Sequence, residues 1–161
     1  MNFSFPQVVM QEIPGEISLA LSISGCPLKC PGCHSPFTWN SSYGACLDEK
    51  TLEGFLDRYE GMITCVLFYG GEWEKETLKQ HLTTIRKRGV LTALYTGLNV
   101  VEDDIAALLD FVKLGPWIQS RGGLDSPNTN QRLIDLRTGE CLNDHFLKDT
   151  QSLPEELKKA M

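Results

Sequence analysis

The chain has 161 residues, with 15 Lys and Arg against 21 Asp and Glu, a formal charge of −6 and 42% hydrophobic content. A chain this long can bury a real core as one domain, and its near-average apolar and charged content argues against disorder. The acidic balance argues against a general nucleic-acid or anionic-membrane binder, no apolar run reaches the roughly 18–20 residues of a membrane span, and Met1 to Gln11 lacks a basic stretch followed by an apolar one, so the expectation is a cytoplasmic protein.

Glu16 to Ser24 reads as a strand, with Ile17, Leu19, Leu21 and Ile23 pointing one way and small or polar residues between. The segment Ser24-Gly25-Cys26-Pro27-Leu28-Lys29-Cys30-Pro31-Gly32-Cys33-His34 follows at once. Its prolines and glycines predict a tight loop rather than a helix. Asp48 suits an N-cap before Leu52, Phe55, Leu56 and Tyr59, which stand at i, i+3, i+4 and i+7, and Gly61 suits the stop. Ile63 to Tyr69 is an almost continuous apolar run, as in a strand buried on both faces, and Gly70-Gly71-Glu72 ends it. Leu78, Leu82 and Ile85 mark a second helix, with Arg86, Lys87 and Arg88 in its last turn and Gly89 beyond. Val90 to Thr96 is the next strand, ended by Gly97. Ile105, Leu108 and Leu109 mark a third helix, and Phe111 to Leu114 a fourth strand before Gly115-Pro116. Leu133 to Leu136 reads as one more strand, turning at Thr138-Gly139. The polar stretch at the C-terminus, 145–161, reads as a surface helix or mobile tail on a single domain, 1–161, whose core spans about 9–136.

Strands alternating with helices imply βαβ crossovers and a parallel sheet, whose ligands sit at the carboxyl ends of the strands. The cysteine loop, Gly70-Gly71-Glu72 and Thr96-Gly97 all fall at such ends.

Of six cysteines, Cys26, Cys30 and Cys33 crowd into eight residues. Disulfides are rare in the cytosol, so this crowding points to a metal. Soft thiolates suit iron–sulfur or zinc. Structural zinc asks for paired cysteines and a fourth ligand, whereas the third cysteine here stands alone and His34 is adjacent to it, poorly placed for the same ion. An open fourth corner is what a catalytic cluster needs. Cys65 reads as a small core residue, Cys46 and Cys141 have no partner that the sequence identifies, and His81 and His145 read as structural or solvated.

The C-x3-C-x2-C spacing resembles the signature of the radical S-adenosylmethionine (radical SAM) enzymes. The resemblance implies an α/β fold, an incomplete (β/α) barrel with a mostly parallel open sheet flanked by helices. Four to six βα units would fit this length. It implies that Cys26, Cys30 and Cys33 hold a [4Fe–4S] cluster and that the amine and carboxylate of S-adenosyl-L-methionine (SAM) chelate the fourth iron. Phe68-Tyr69-Gly70-Gly71-Glu72 resembles the family's Gly-Gly-Glu motif, which implies that Gly70, Gly71 and Glu72 receive the SAM ammonium. The family often has an aromatic residue before the third cysteine. Gly32 stands there instead, which implies a backbone contact to adenine, with His34 either beside the ring or exposed in the loop. Thr96 either bonds the sugar or carboxylate of SAM or simply ends a strand, and Lys113 either neutralises that carboxylate or snorkels.

Within this family, three features are similar to the activating proteins of anaerobic (class III) ribonucleoside-triphosphate reductase. They are the short chain, the cysteine loop followed by Phe37-Thr38-Trp39-Asn40, and Asn130-Gln131-Arg132 leading into Leu133-Ile134-Asp135. The resemblance spans roughly Val9 to Leu136. It implies that a flavodoxin or ferredoxin-type reductant supplies one electron, SAM is cleaved, and the 5′-deoxyadenosyl radical removes a Cα hydrogen from a glycine near the C-terminus of the reductase. Competing readings are an activase of another glycyl-radical enzyme, another small radical SAM enzyme, and a zinc-stabilised interaction module.

Overall fold

The computed structural model describes residues 1–147 and arranges them on an open mixed sheet. In chain order the elements are β1 (Asn2–Phe3), β2 (Gln7–Val9), β3 (Ser18–Ser22), β4 (Ala45–Cys46), α1 (Glu49–Arg58), β5 (Cys65–Tyr69), α2 (Lys75–Lys87), β6 (Leu91–Tyr95), α3 (Asp103–Ala106), β7 (Phe111–Leu114), β8 (Arg132–Asp135) and β9 (Glu140–Cys141). Short 3₁₀ turns lie at Pro36–Trp39, Glu72–Glu74 and Asn143–Phe146. The seven-stranded sheet runs in the order β2-β3-β5-β6-β7-β8-β9. Its centre, β3-β5-β6-β7, is parallel, while β2, β8 and β9 run antiparallel at the flanks. Strands β1 and β4 form a separate antiparallel pair.

The central strands are apolar because both of their faces are covered. Leu19, Leu21, Val66, Phe68, Leu94 and Val112 share one core with Leu52 and Leu56 of α1 and Leu78, Leu82 and Ile85 of α2. On the opposite face, Ala20, Leu67, Ala93 and Phe111 pack with Ile13, Leu133 and Leu142. Asp48 caps α1 by accepting the Thr51 amide at 2.8 Å, as its position before the helical pattern predicts.

The expected elements are present, with instructive departures. Ile17 does not join Leu19 and Leu21 in the core. It is 39% exposed, at the start of the strand, where its backbone bonds Thr64. The third helix is only four residues long. The Leu108 carbonyl is taken by the Thr92 hydroxyl at 2.7 Å, and the Asp110 carboxylate accepts the Thr92 amide at 2.9 Å, so the chain is drawn into β7 instead of continuing the helix. Strands β1, β2, β4 and β9 are two or three residues each and carry no periodicity that a sequence can display. The expected C-terminal helix or tail starts within the turn Asn143–Phe146, and the rest of it lies outside the described residues. Among the described residues no helix is long and apolar enough to cross a membrane.

Two substitutions test this packing by urea unfolding. Leu82→Ala removes a fully buried side chain beneath α2 and should cost roughly 2–5 kcal/mol. Asp48→Ala should cost about 1 kcal/mol through loss of the cap alone.

Candidate cluster and cofactor site

The parallel strands end in register. Ser22 pairs with Tyr69, Tyr69 with Tyr95, and Tyr95 with Lys113. Residues in register lie on the same face of a sheet, and these four line one cavity. The loops that leave the four strands close over the cavity.

The first loop carries Cys26, Cys30 and Cys33. All three are free, half-buried thiols that line this cavity. The Gly25 and Cys26 amides both donate to the Thr38 carbonyl, at 2.6 and 3.0 Å, tying the start of the loop to the turn after it. Cys33 closes a tight turn on the Cys30 carbonyl at 3.1 Å, with Gly32 at φ 71° inside it. Lys29 is held at φ 46°, a left-handed conformation that a side chain rarely adopts. The Cys33 sulfur takes the Ser35 amide at 3.3 Å. Burial pushes the Cys26 thiol up, with the Leu28 and Lys29 amides opposing. Among the described residues no three His, Cys, Asp or Glu side chains close around a position for one metal ion. The three thiols share one cavity. Soft thiolates with an amide donor to sulfur are what an iron–sulfur cluster takes, so the donor set suits that chemistry.

The second loop is Gly70-Gly71-Glu72. Both glycines are left-handed, at φ 81° and 112°. A Cβ on Gly70 would stand 2.4 Å from the Trp73 ring. Gly70 lines the cavity, whereas Gly71 backs onto Ile23. Glu72 Oε1 accepts the Thr96 hydroxyl, while its Oε2 is buried without a partner. Burial pushes the Glu72 carboxyl up, and the Thr96 hydroxyl, the Glu72 amide and the Lys113 ammonium pull it back. Thr96 is itself buried and also accepts the Leu98 amide at 3.0 Å. The Lys113 ammonium lies 5.4 Å from the centre of the Tyr95 ring. Burial pulls its pKa down to about 8, against the neighbouring Cys30 and Glu72, which favour the charge.

Of the residues singled out from sequence, Cys26, Cys30, Cys33, Gly70, Glu72, Thr96 and Lys113 thus line one cavity. Gly32 and His34 do not. Gly32 turns its loop beside Trp117 and Gln119, and His34 lies against Trp117, ring centres 4.3 Å apart, on a wider groove outside. Cys33, between them, faces the cavity, while Gly32 and His34 lie beside Trp117 away from the inner wall. Sequence reading missed Tyr69, Tyr95, Trp73, Trp117 and Gln131, all of which line the cavity. Trp73 braces the cysteine loop by donating to the Ser24 carbonyl at 3.1 Å. Trp117 follows the fourth parallel strand, so the strand-end rule that selected Thr96 would also have found it.

Gly70→Ala should force Trp73 off its bond to Ser24 and cost roughly 1–3 kcal/mol, read as a lower urea midpoint. A second expectation concerns pH in the cluster-free protein. Lys113 holds its proton less tightly when folded, with a pKa of about 8 against 10.5 for the ordinary group. Below about pH 8 its charge is buried at a cost, and that cost fades as pH rises toward 10.5, where the unfolded chain also loses the proton. Lys113→Met should therefore be more stable than wild type below pH 8, with the advantage narrowing over that window in paired unfolding curves.

A family model described as a 4Fe-4S single cluster domain matches residues 14–134. No curated protein matches the chain. Because the family match covers about three quarters of the chain, including the whole cysteine loop and every strand of the parallel core, this chain belongs to the 4Fe-4S single cluster domain family.

Proposed function

We propose that the chain is a radical SAM enzyme of the incomplete (β/α) barrel type that activates anaerobic ribonucleoside-triphosphate reductase by generating its glycyl radical in the cytoplasm. A flavodoxin or ferredoxin-type carrier is the electron donor in this reading. The observation that carries it is the meeting, at the carboxyl ends of four parallel strands, of three free thiols with a half-buried lysine and a carboxylate oxygen unpartnered among the described residues.

Cys26, Cys30 and Cys33 would hold the cluster. Bound there, it would supply the single electron for cleavage of SAM at S–C5′ to methionine and a 5′-deoxyadenosyl radical, which would take a Cα hydrogen from the partner's glycine. The chain's own groups orient and shield. Glu72 Oε2, buried and without a donor among the described residues, suits the SAM ammonium, and Gly70 lines the same cavity. Lys113, in the same cavity, suits the carboxylate, which would restore the charge that burial disfavours. Thr96 keeps the Glu72 carboxylate aimed by bonding its other oxygen. Tyr69 and Tyr95 meet edge to face, ring centres 5.5 Å apart, and wall the cavity against water.

Anaerobic purification and reconstitution test this reading. Wild type should bind about four irons, produce 5′-deoxyadenosine from SAM with dithionite, and give a glycyl doublet by EPR when mixed with the reductase. Cys30→Ala should lose most of the iron and all SAM cleavage. Cys65→Ala, in the core strand β5, should keep both. Colourless protein holding one zinc would overturn the proposal.

A further inference from the structure

Gln131, in the stretch Asn130-Gln131-Arg132, has no part in holding the cluster or SAM as set out above. It is 6% exposed, yet it lines both the cysteine cavity and the wider groove outside it. Tyr69, Tyr95, Lys113 and Trp117 also line both spaces, so the two adjoin along these side chains.

Gln131 is fixed from several directions. Its amide donates to Thr129 Oγ1 at 3.1 Å, and its carbonyl accepts Asn143 Nδ2 at 2.8 Å. Its side-chain Nε2 donates to the Gly115 carbonyl at 3.4 Å. Gly115 has φ 108°, and a Cβ there would come within 2.9 Å of the Asn130 carbonyl, so the two segments meet backbone to backbone. The Asn130 side chain adds a bond to the Pro116 carbonyl at 2.9 Å. What remains is Gln131 Oε1, which takes no hydrogen bond among the described residues. It is a neutral acceptor on a fixed residue that lines both spaces.

A neutral acceptor does not suit the SAM carboxylate, and the ammonium already has Glu72. A glycine presents no side chain, so only its peptide groups can be gripped. We infer that Gln131 positions the substrate: its Oε1 accepts a backbone N–H of the partner's glycine segment as that segment passes from the groove into the cavity. This assignment rests on the activase reading. It makes Gln131 a substrate-positioning residue that sets where the glycine Cα stops relative to the radical.

The test uses the holoenzyme with reductase grown on α-deuterated glycine. Total 5′-deoxyadenosine counts SAM cleavage, and its deuterated fraction counts abstraction from glycine. Gln131→Met fills the same space without an oxygen. Iron content and SAM cleavage should stay at wild-type levels, while deuterium transfer falls by about 10- to 100-fold. Equal losses in cleavage and transfer would assign Gln131 to SAM and overturn the inference, as would no loss in either. A ligand-side arm covers a variant that fails to fold. With wild type, a peptide spanning the reductase glycine should donate deuterium better than the same peptide N-methylated at that glycine, and equal transfer overturns the inference. Wild type that makes no 5′-deoxyadenosine defeats the activase reading itself. Wild type that makes it and transfers deuterium as well as Gln131→Met does defeats only the role of Gln131.

Discussion

The site depends on the register of four parallel strands. Ser22, Tyr69, Tyr95 and Lys113 form one row across β3, β5, β6 and β7, and this row is the floor on which the cysteine loop and the Gly-Gly-Glu turn are set. A slip of one residue in any of these strands would turn its contribution to the opposite face and bury the wrong side chains beneath α1 and α2. The register is enforced by burial on both faces. Leu21 and Phe68 belong to the helix-side core, while Ala20 and Leu67 belong to the opposite one, so neither pair can exchange places without exposing apolar surface or opening cavities.

Above this floor the polar groups are held but not exhausted. Among the described residues, Glu72 bonds Thr96 with one oxygen and keeps the other buried and unpartnered. Gln131 bonds Gly115 through its nitrogen, and its oxygen takes no donor among them. Lys113 lies against an aromatic face, with no ion pair among the described residues. Such groups destabilise an empty site, and a ligand of matching charge would relieve that cost. Left-handed backbone at Gly70 and Gly71 serves the same end, since it lets Trp73 pack over the turn and reach the Ser24 carbonyl, joining the second loop to the first.

Much of this is legible in the amino-acid sequence. The strands over 16–24, 63–69, 90–96 and 111–114 show themselves by apolar residues, and α1 and α2 by their spacing, because these elements bury whole faces and must repeat apolar residues to do so. The strand-end rule then placed Cys26, Cys30, Cys33, Glu72 and Thr96 at one end of the sheet, where Lys113 joins them. Residues that act through a loop's path were not legible. Gly32 and His34 are next to Cys33 in sequence, but the loop turns them outward beside Trp117. Tyr69 and Tyr95 read as ordinary strand residues because a wall of a cavity and a wall of a core call for the same side chains. The third helix was overestimated because Ile105, Leu108 and Leu109 keep helical spacing while Thr92 and Asp110, from strand and loop, take over the backbone groups that would have extended it.

The sequence by itself determined the donor chemistry and the order of the parts. Three thiols in a loop that cannot be helical, after the first strand of an alternating βα succession, limit the metal and its place, because spacing and strand polarity are local properties. Only the tertiary structure decided which atoms are left without partners. Whether Glu72 Oε2 or Gln131 Oε1 is available depends on Thr96, Gly115 and Asn143, which reach them from other strands and loops. The edges, too, were a tertiary outcome. Strands β2, β8 and β9 are short segments whose antiparallel pairing depends on the neighbour each one meets, and together they leave the sheet open beside the cavity.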